Sequence, residues 1–142
     1  MDKTYQSKKF EDKIYKNWIK KDLFNPDKYT GEPYSIMMPP PNVTGVLHLG
    51  HALENSLMDS MARYQRLQGK KVLLLPGVDH AAVATQAKVE KILIEQGMEN
   101  PRQELGRDKL LEKVKKYADE SRDTILKQIR RMGTSCDWSR FA

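Results

Sequence analysis

Three consecutive prolines, Pro39-Pro40-Pro41, directly follow the apolar run Tyr34-Ser35-Ile36-Met37-Met38. This junction constrains the chain more than any other. Proline has no backbone donor, so a run of three cannot continue inside a sheet. The apolar run is short and is preceded by the turn residues Thr30-Gly31-Glu32-Pro33. It reads as a buried strand. The chain must therefore leave the sheet at the carboxyl end of that strand, into the turn-like segment Asn42-Val43-Thr44-Gly45.

The spacing after this exit predicts a helix from near His48–His51 to about Gln68. Leu53, Leu57, Met61, Tyr64 and Leu67 share one of its faces, and Gly69 ends it. Lys71 to Pro76, carrying Val72-Leu73-Leu74-Leu75, reads as a second buried strand. Strand, helix, strand is a βαβ unit, which implies parallel strands and a right-handed crossover. Gly77-Val78-Asp79-His80 then lies at the carboxyl end of the second strand.

The flanks are helical. Phe10, Ile14 and Trp18 recur every four residues and predict a lead-in helix from about Tyr5 to Leu23, packed on the body of the domain and stopped at Asn25-Pro26-Asp27. A helix from about Ala84 to Gln96 ends at Gly97. A long polar helix runs from about Arg107 to Met132, with Leu110, Val114, Tyr117, Ile125 and Ile129 as its apolar stripe and Gly133 as its stop. Asn100-Pro101 is the only plausible linker, too short to separate domains. The length of 142 residues and 39% hydrophobic content suit one domain over 1–142, of the α/β class.

Composition excludes several function classes. Cys136 is the lone cysteine, so there is no intramolecular disulfide and no multi-cysteine zinc site. A reducing compartment is the expectation. No apolar run approaches the roughly 18 residues that span a bilayer. The charged N-terminus lacks the apolar region of a secretion signal. A cytoplasmic location away from membranes is therefore expected. The net charge of +6 suits either a polyanionic partner or a lysine-rich solvated surface.

Chemistry concentrates in two loops, Pro39 to His51 and Gly77 to Gln86. Both sit at the carboxyl edge of the sheet, where open α/β folds bind ligands. A helix beginning near His48 offers unpaired amides and the positive end of its dipole to a phosphate. Gly45 and Gly50 let a base or phosphate approach the backbone. His48 and His51, three apart, fall on one face of the first turn, where two imidazoles could donate to charge developing on phosphorus. The same pair also fits a helix cap, or half a metal site with His80 as a third ligand. Asp79 suits a cationic ligand group, and equally the N-cap of the next helix.

Pro39-Pro40-Pro41-Asn42-Val43-Thr44-Gly45-Val46-Leu47-His48-Leu49-Gly50-His51 resembles the signature of class I aminoacyl-tRNA synthetases, in the form found in their valine-specific members. Gly77-Val78-Asp79-His80-Ala81-Ala82-Val83-Ala84-Thr85-Gln86 resembles a second segment of the same members, with Ala82 where their pattern has glycine. Arg131-Met132-Gly133-Thr134-Ser135-Cys136-Asp137-Trp138-Ser139-Arg140 is similar to the stretch that precedes the family's inserted editing domain. The resemblance covers about Phe10 to Arg140.

The resemblance implies the first half of a Rossmann-like nucleotide-binding fold, ending before the editing insertion. It implies activation of valine by ATP with Mg2+, pyrophosphate release and transfer to tRNA(Val), with no metal tightly bound in this segment. His48 and His51 would be catalytic, stabilising the α-phosphate transition state. Thr44, Gly45, His48, Gly50 and His51 would hold ATP, with adenine flat against Gly50. Pro40, Pro41, Asn42, Asp79 and His80 would surround the amino acid. The family's second, lysine-rich signature has no match in these 142 residues. A truncated piece with weak turnover is therefore expected, self-associating through an unpaired sheet edge, from a longer enzyme that is itself monomeric. The alternative is a nucleotide- or RNA-binding module without turnover. From Arg107 to Arg131 nine basic residues face five acidic ones, 9 − 5 = +4.

Overall fold

The computed structural model describes residues 4–142. The order is α1 (Ser7–Lys20), β1 (Pro33–Met37), α2 (Leu49–Leu67), β2 (Lys71–Leu75), α3 (Ala82–Glu95) and α4 (Pro101–Arg131), with short 3-10 turns at Pro26–Lys28 and Trp138–Arg140. β1 and β2 are parallel and in register from Pro33 opposite Lys71 to Met37 opposite Leu75. The prolines end β1 where the sequence requires. The last pairing is the Met38 amide donating to the Leu75 carbonyl at 3.0 Å. The βαβ unit is thus confirmed.

The far edge of β2 is also occupied. The Asp137 amide donates to the Leu74 carbonyl at 3.0 Å, and the Ala142 amide to the Pro76 carbonyl at 3.2 Å. Among the described residues, the other edge of β1 has no pairing strand. The main core lies between the sheet, α2 and the second half of α4, where Val72, Leu74, Ala62, Ile125 and Ile129 are buried. Leu110 of α4 closes a second cluster with Val89 and Leu93 of α3. The α4 stripe is therefore the buried one the sequence predicts.

Three expectations need correction. First, Asn100-Pro101 is no linker: a short helical segment of α4 starts at Pro101, and non-helical Gly106 (φ 70°) separates it from the long stretch that runs from Arg107 as the sequence predicts. Proline suits the first helical position, where its missing donor costs nothing, so Asn100-Pro101 starts a helix instead of linking two. Second, α1 buries none of its residues; Phe10 and Ile14 are exposed. It is tied down through Tyr15, whose Oη donates to the Thr134 carbonyl at 2.9 Å and accepts from Trp138 Nε1 at 2.8 Å. Third, Leu53, Leu57, Met61, Tyr64 and Leu67 do share a face of α2, but that face is turned to solvent.

A polar network causes this reversal of α2. Asn55, Asp59, Arg63 and Arg66 recur at helical spacing and face Gly133-Thr134-Ser135. Asp59 Oδ1 accepts from the Ser135 amide at 2.7 Å and its Oδ2 from Arg63 Nε at 2.7 Å. Arg63 Nη2 donates to the Gly133 carbonyl at 2.7 Å, and Arg66 Nη2 to the Ser135 carbonyl at 2.8 Å. Asn55 Nδ2 reaches Thr134 Oγ1 at 2.6 Å. Thr134 and Ser135 are buried, so their polar groups need these partners.

Candidate active site

The two loops meet through their backbones. The Val43 amide donates to the Asp79 carbonyl at 2.9 Å, and the Asp79 amide to the Pro41 carbonyl at 3.0 Å. Asn42 and Asp79 thus form an isolated parallel bridge beyond the strand ends. Val43, fully buried in the core, anchors the first loop beneath it. The bridge brings together Pro41, Asn42 and Asp79, with His80 following directly. Pro40, Asn42, Asp79 and His80 are exposed and Pro41 is half-buried.

Among the described residues, Asp79 is committed on one side only. Its Oδ1 accepts from the Ala81 amide at 2.8 Å. It is not the N-cap of α3; that position is Ala81, held left-handed at φ 42°. Thr85, buried and not singled out by its sequence, steadies this loop by donating from Oγ1 to the His80 carbonyl at 2.6 Å. Ala82 is the first residue of α3 and is exposed. A methyl there meets helical geometry, which any L-residue accepts.

The histidine pair is the sharpest feature of the site. His48 caps α2: its Nδ1 accepts from the Gly50 amide at 3.0 Å. His51 Nδ1 accepts from the His48 amide at 3.2 Å. The ring centroids lie 3.9 Å apart. A nitrogen that accepts carries no proton, so each ring holds its proton on Nε2. The reciprocal cap and the pair of donors, open alternatives in the sequence, are therefore two aspects of one arrangement. Among the described residues the Leu49 amide has no intramolecular acceptor, and the His51 amide faces the His48 side chain in the capping box. They lie in the first turn, where the helix dipole also favours an anion. Among the described residues no three His, Cys, Asp or Glu side chains cluster as metal ligands, so His80 does not complete a metal site with the pair.

The two glycines differ. A Cβ on Gly45 would meet nothing within 4 Å, which leaves that side of the loop open to a ligand. A Cβ on Gly50 would stand 2.9 Å from Cε1 of His48. Glycine at 50 thus makes room for the capping ring. Thr44 and Leu47 are held from α4: Tyr117 Oη donates to the Thr44 carbonyl at 2.8 Å, and the Leu47 amide donates to Gln128 Oε1 at 2.9 Å. Periodicity placed Tyr117 on an apolar stripe and gave no reason to choose Gln128.

A cleft of about 530 Å³ lies elsewhere, between α1 and the end of α4, lined by Tyr15, Trp18, Arg63, Arg130 and Met132 among others. It shares no residue with either loop. Its walls are already engaged: Arg63 lies 5.2 Å from the Trp18 ring, and Tyr15 is hydrogen-bonded on both sides.

The chain is similar to proteins of known family. Residues 13–142 match the family described as tRNA synthetases class I (I, L, M and V). The valine–tRNA ligase of Clostridium perfringens is 49% identical over 141 residues, 98% of this chain and 16% of that protein. That of Thermus thermophilus is 49% identical over 140 residues, 99% of this chain and 16% of that protein. The chain thus spans about 16% of the length of the curated relatives it matches. A crystal structure of the ternary complex of Agrobacterium radiobacter K84 agnB2 LeuRS-tRNA-LeuAMS superposes with a TM-score of 0.78 at 20% identity, over 98% of this chain and 16% of that one. That likeness supports the Rossmann-like α/β fold. With a family match over residues 13–142 and valine–tRNA ligases at about half identity, the chain belongs to the class I tRNA synthetases of the I, L, M and V group.

Proposed function

We propose that this chain carries the ATP- and valine-holding part of a valine–tRNA ligase. The observation that carries this reading is the reciprocal histidine cap, which leaves two Nε2–H donors and the unpaired Leu49 amide in one helical turn. In this reading the α-phosphate sits against that turn. As valine's carboxylate attacks and pyrophosphate departs, negative charge grows on the phosphoryl oxygens, and the prearranged donors stabilise it without a covalent step. The open side of Gly45 admits the nucleotide. The uncommitted Oδ2 of Asp79 takes the valine ammonium, beside Asn42 and Pro41. Mg2+ arrives with the ATP phosphates, and tRNA(Val) is the acceptor for the enzyme as a whole. The family's lysine signature has no match here, so turnover by this chain alone is weak or absent.

The test is titration of the chain with ATP, together with valine-dependent exchange of labelled pyrophosphate into ATP, for the parent, His48→Ala and His51→Ala. Saturable ATP binding weakened in both variants is the expected result. Equal affinity in all three, or no saturable binding, would sink the reading. Binding without valine-dependent exchange would identify a nucleotide-holding module instead of a valine-activating one.

A further inference from the structure

Two side chains of α4 hold the signature loop from behind, and neither lies in a loop or in a signature. Tyr117 donates to the Thr44 carbonyl, and Gln128 accepts from the Leu47 amide. They are eleven positions apart, about three helical turns, so they project from one face of α4. They grip the loop on either side of Gly45-Val46. Among the described residues, Thr44 to Leu47 make no backbone-to-backbone hydrogen bond. Beyond the turn at Val43–Thr44 and the packing of Leu47 on the core, the backbone of this stretch is therefore held from α4. Both holding side chains are half-buried, where a lost partner is not fully replaced by water.

We propose that Tyr117 and Gln128 are positioning residues of the nucleotide site: they fix the Gly45 approach relative to the first turn of α2, where His48 and His51 stand. Neither touches the ligand in this arrangement. They act through the Thr44 carbonyl and the Leu47 amide. The inference rests on the reading of residues 42–51 as the nucleotide loop.

The experiment titrates ATP into the parent, Tyr117→Phe, Gln128→Met and Ile125→Val, and follows hydrogen exchange of the Leu47 amide in each. Ile125 is fully buried in the core, so its variant lowers stability without touching the loop. Tyr117→Phe and Gln128→Met are expected to weaken ATP about three- to tenfold, the size of one lost hydrogen bond. Leu47 exchange should rise in Gln128→Met, while Ile125→Val keeps the parent's ATP affinity. Parent-like ATP affinity in both α4 variants would overturn the inference and leave the nucleotide reading standing. Affinity lost equally in Ile125→Val would overturn it too, since any loss of stability would then suffice. A parent that binds no ATP would overturn the nucleotide reading and the inference with it.

Discussion

The inverted amphipathicity of α2 makes a quantitative prediction that sequence logic alone would reverse. Leu57 lies mid-helix on the apolar stripe, and Asp59 lies two residues on, on the polar face. Leu57 is 65% exposed. Leu57→Ala therefore removes little buried area and should cost on the order of 0.5 kcal/mol, against about 2–5 for a packed leucine. The Asp59 side chain is only 14% exposed and accepts from the Ser135 amide, Ser135 Oγ and Arg63. In Asp59→Ala the buried Ser135 amide is orphaned, at about 1–3 kcal/mol. Arg63, 43% exposed, turns to water, so its lost pair adds less than about 1 kcal/mol. The expected loss is about 1–4 kcal/mol. Urea unfolding followed by circular dichroism at low protein concentration reads both variants, with ΔG extrapolated linearly. A larger loss for Leu57→Ala than for Asp59→Ala would refute the orientation of α2. So would an Asp59→Ala cost below about 0.5 kcal/mol, the usual range for surface changes.

Stability should also fall in alkali. Burial pushes the Cys136 thiol up from 9.0 to about 12 and the Tyr15 hydroxyl from 10.0 to about 12. Both groups keep their protons in either state below pH 9. Above it the unfolded chain releases the thiol proton and the folded chain does not, so stability drops by up to about 1.4 kcal/mol per pH unit. The fall steepens above pH 10 as Tyr15 joins, and it levels near pH 12. Cys136→Ala should lose the slope between pH 9 and 10; an unchanged slope in urea melts there would contradict the assignment. The open edge of β1 and the exposed α2 stripe also predict self-association. Sedimentation velocity should show a weight-average mass that rises with loading and falls back in Leu57→Glu. One monomer boundary at every concentration would count against it.

Much of the scaffold was legible in residues. Tyr34–Met38, the prolines after it, and Val72–Leu75 specify both strands, their exits and the parallel pairing. The α4 stripe predicts its buried face because its neighbours there are apolar. The α2 stripe misleads because the partner that orients it, Gly133–Ser135, lies 69 to 79 residues away from the side chains it binds and is polar. Local periodicity carries no information on such a partner. Within the site, the histidines were legible as two donors in one turn. Which nitrogen keeps the proton was not, because that depends on Gly50 and His48 amides turning inward. The Asn42–Asp79 bridge was foreshadowed only as two loops on one sheet edge.

The hold of α4 on Thr44 and Leu47 has a consequence for the order in which this protein assembles. Those contacts close loops of 73 and 81 residues, whereas β1 pairs with β2 across 38, from Pro33 to Lys71. Longer closures are entropically dearer and form later. A chain with both strands paired and α2 formed would still have a slack signature loop until α4 docks. On the proposed reading of this loop, its ligand-competent shape is then the last part of this fold to mature, and nucleotide capture during refolding should lag behind the recovery of helical signal.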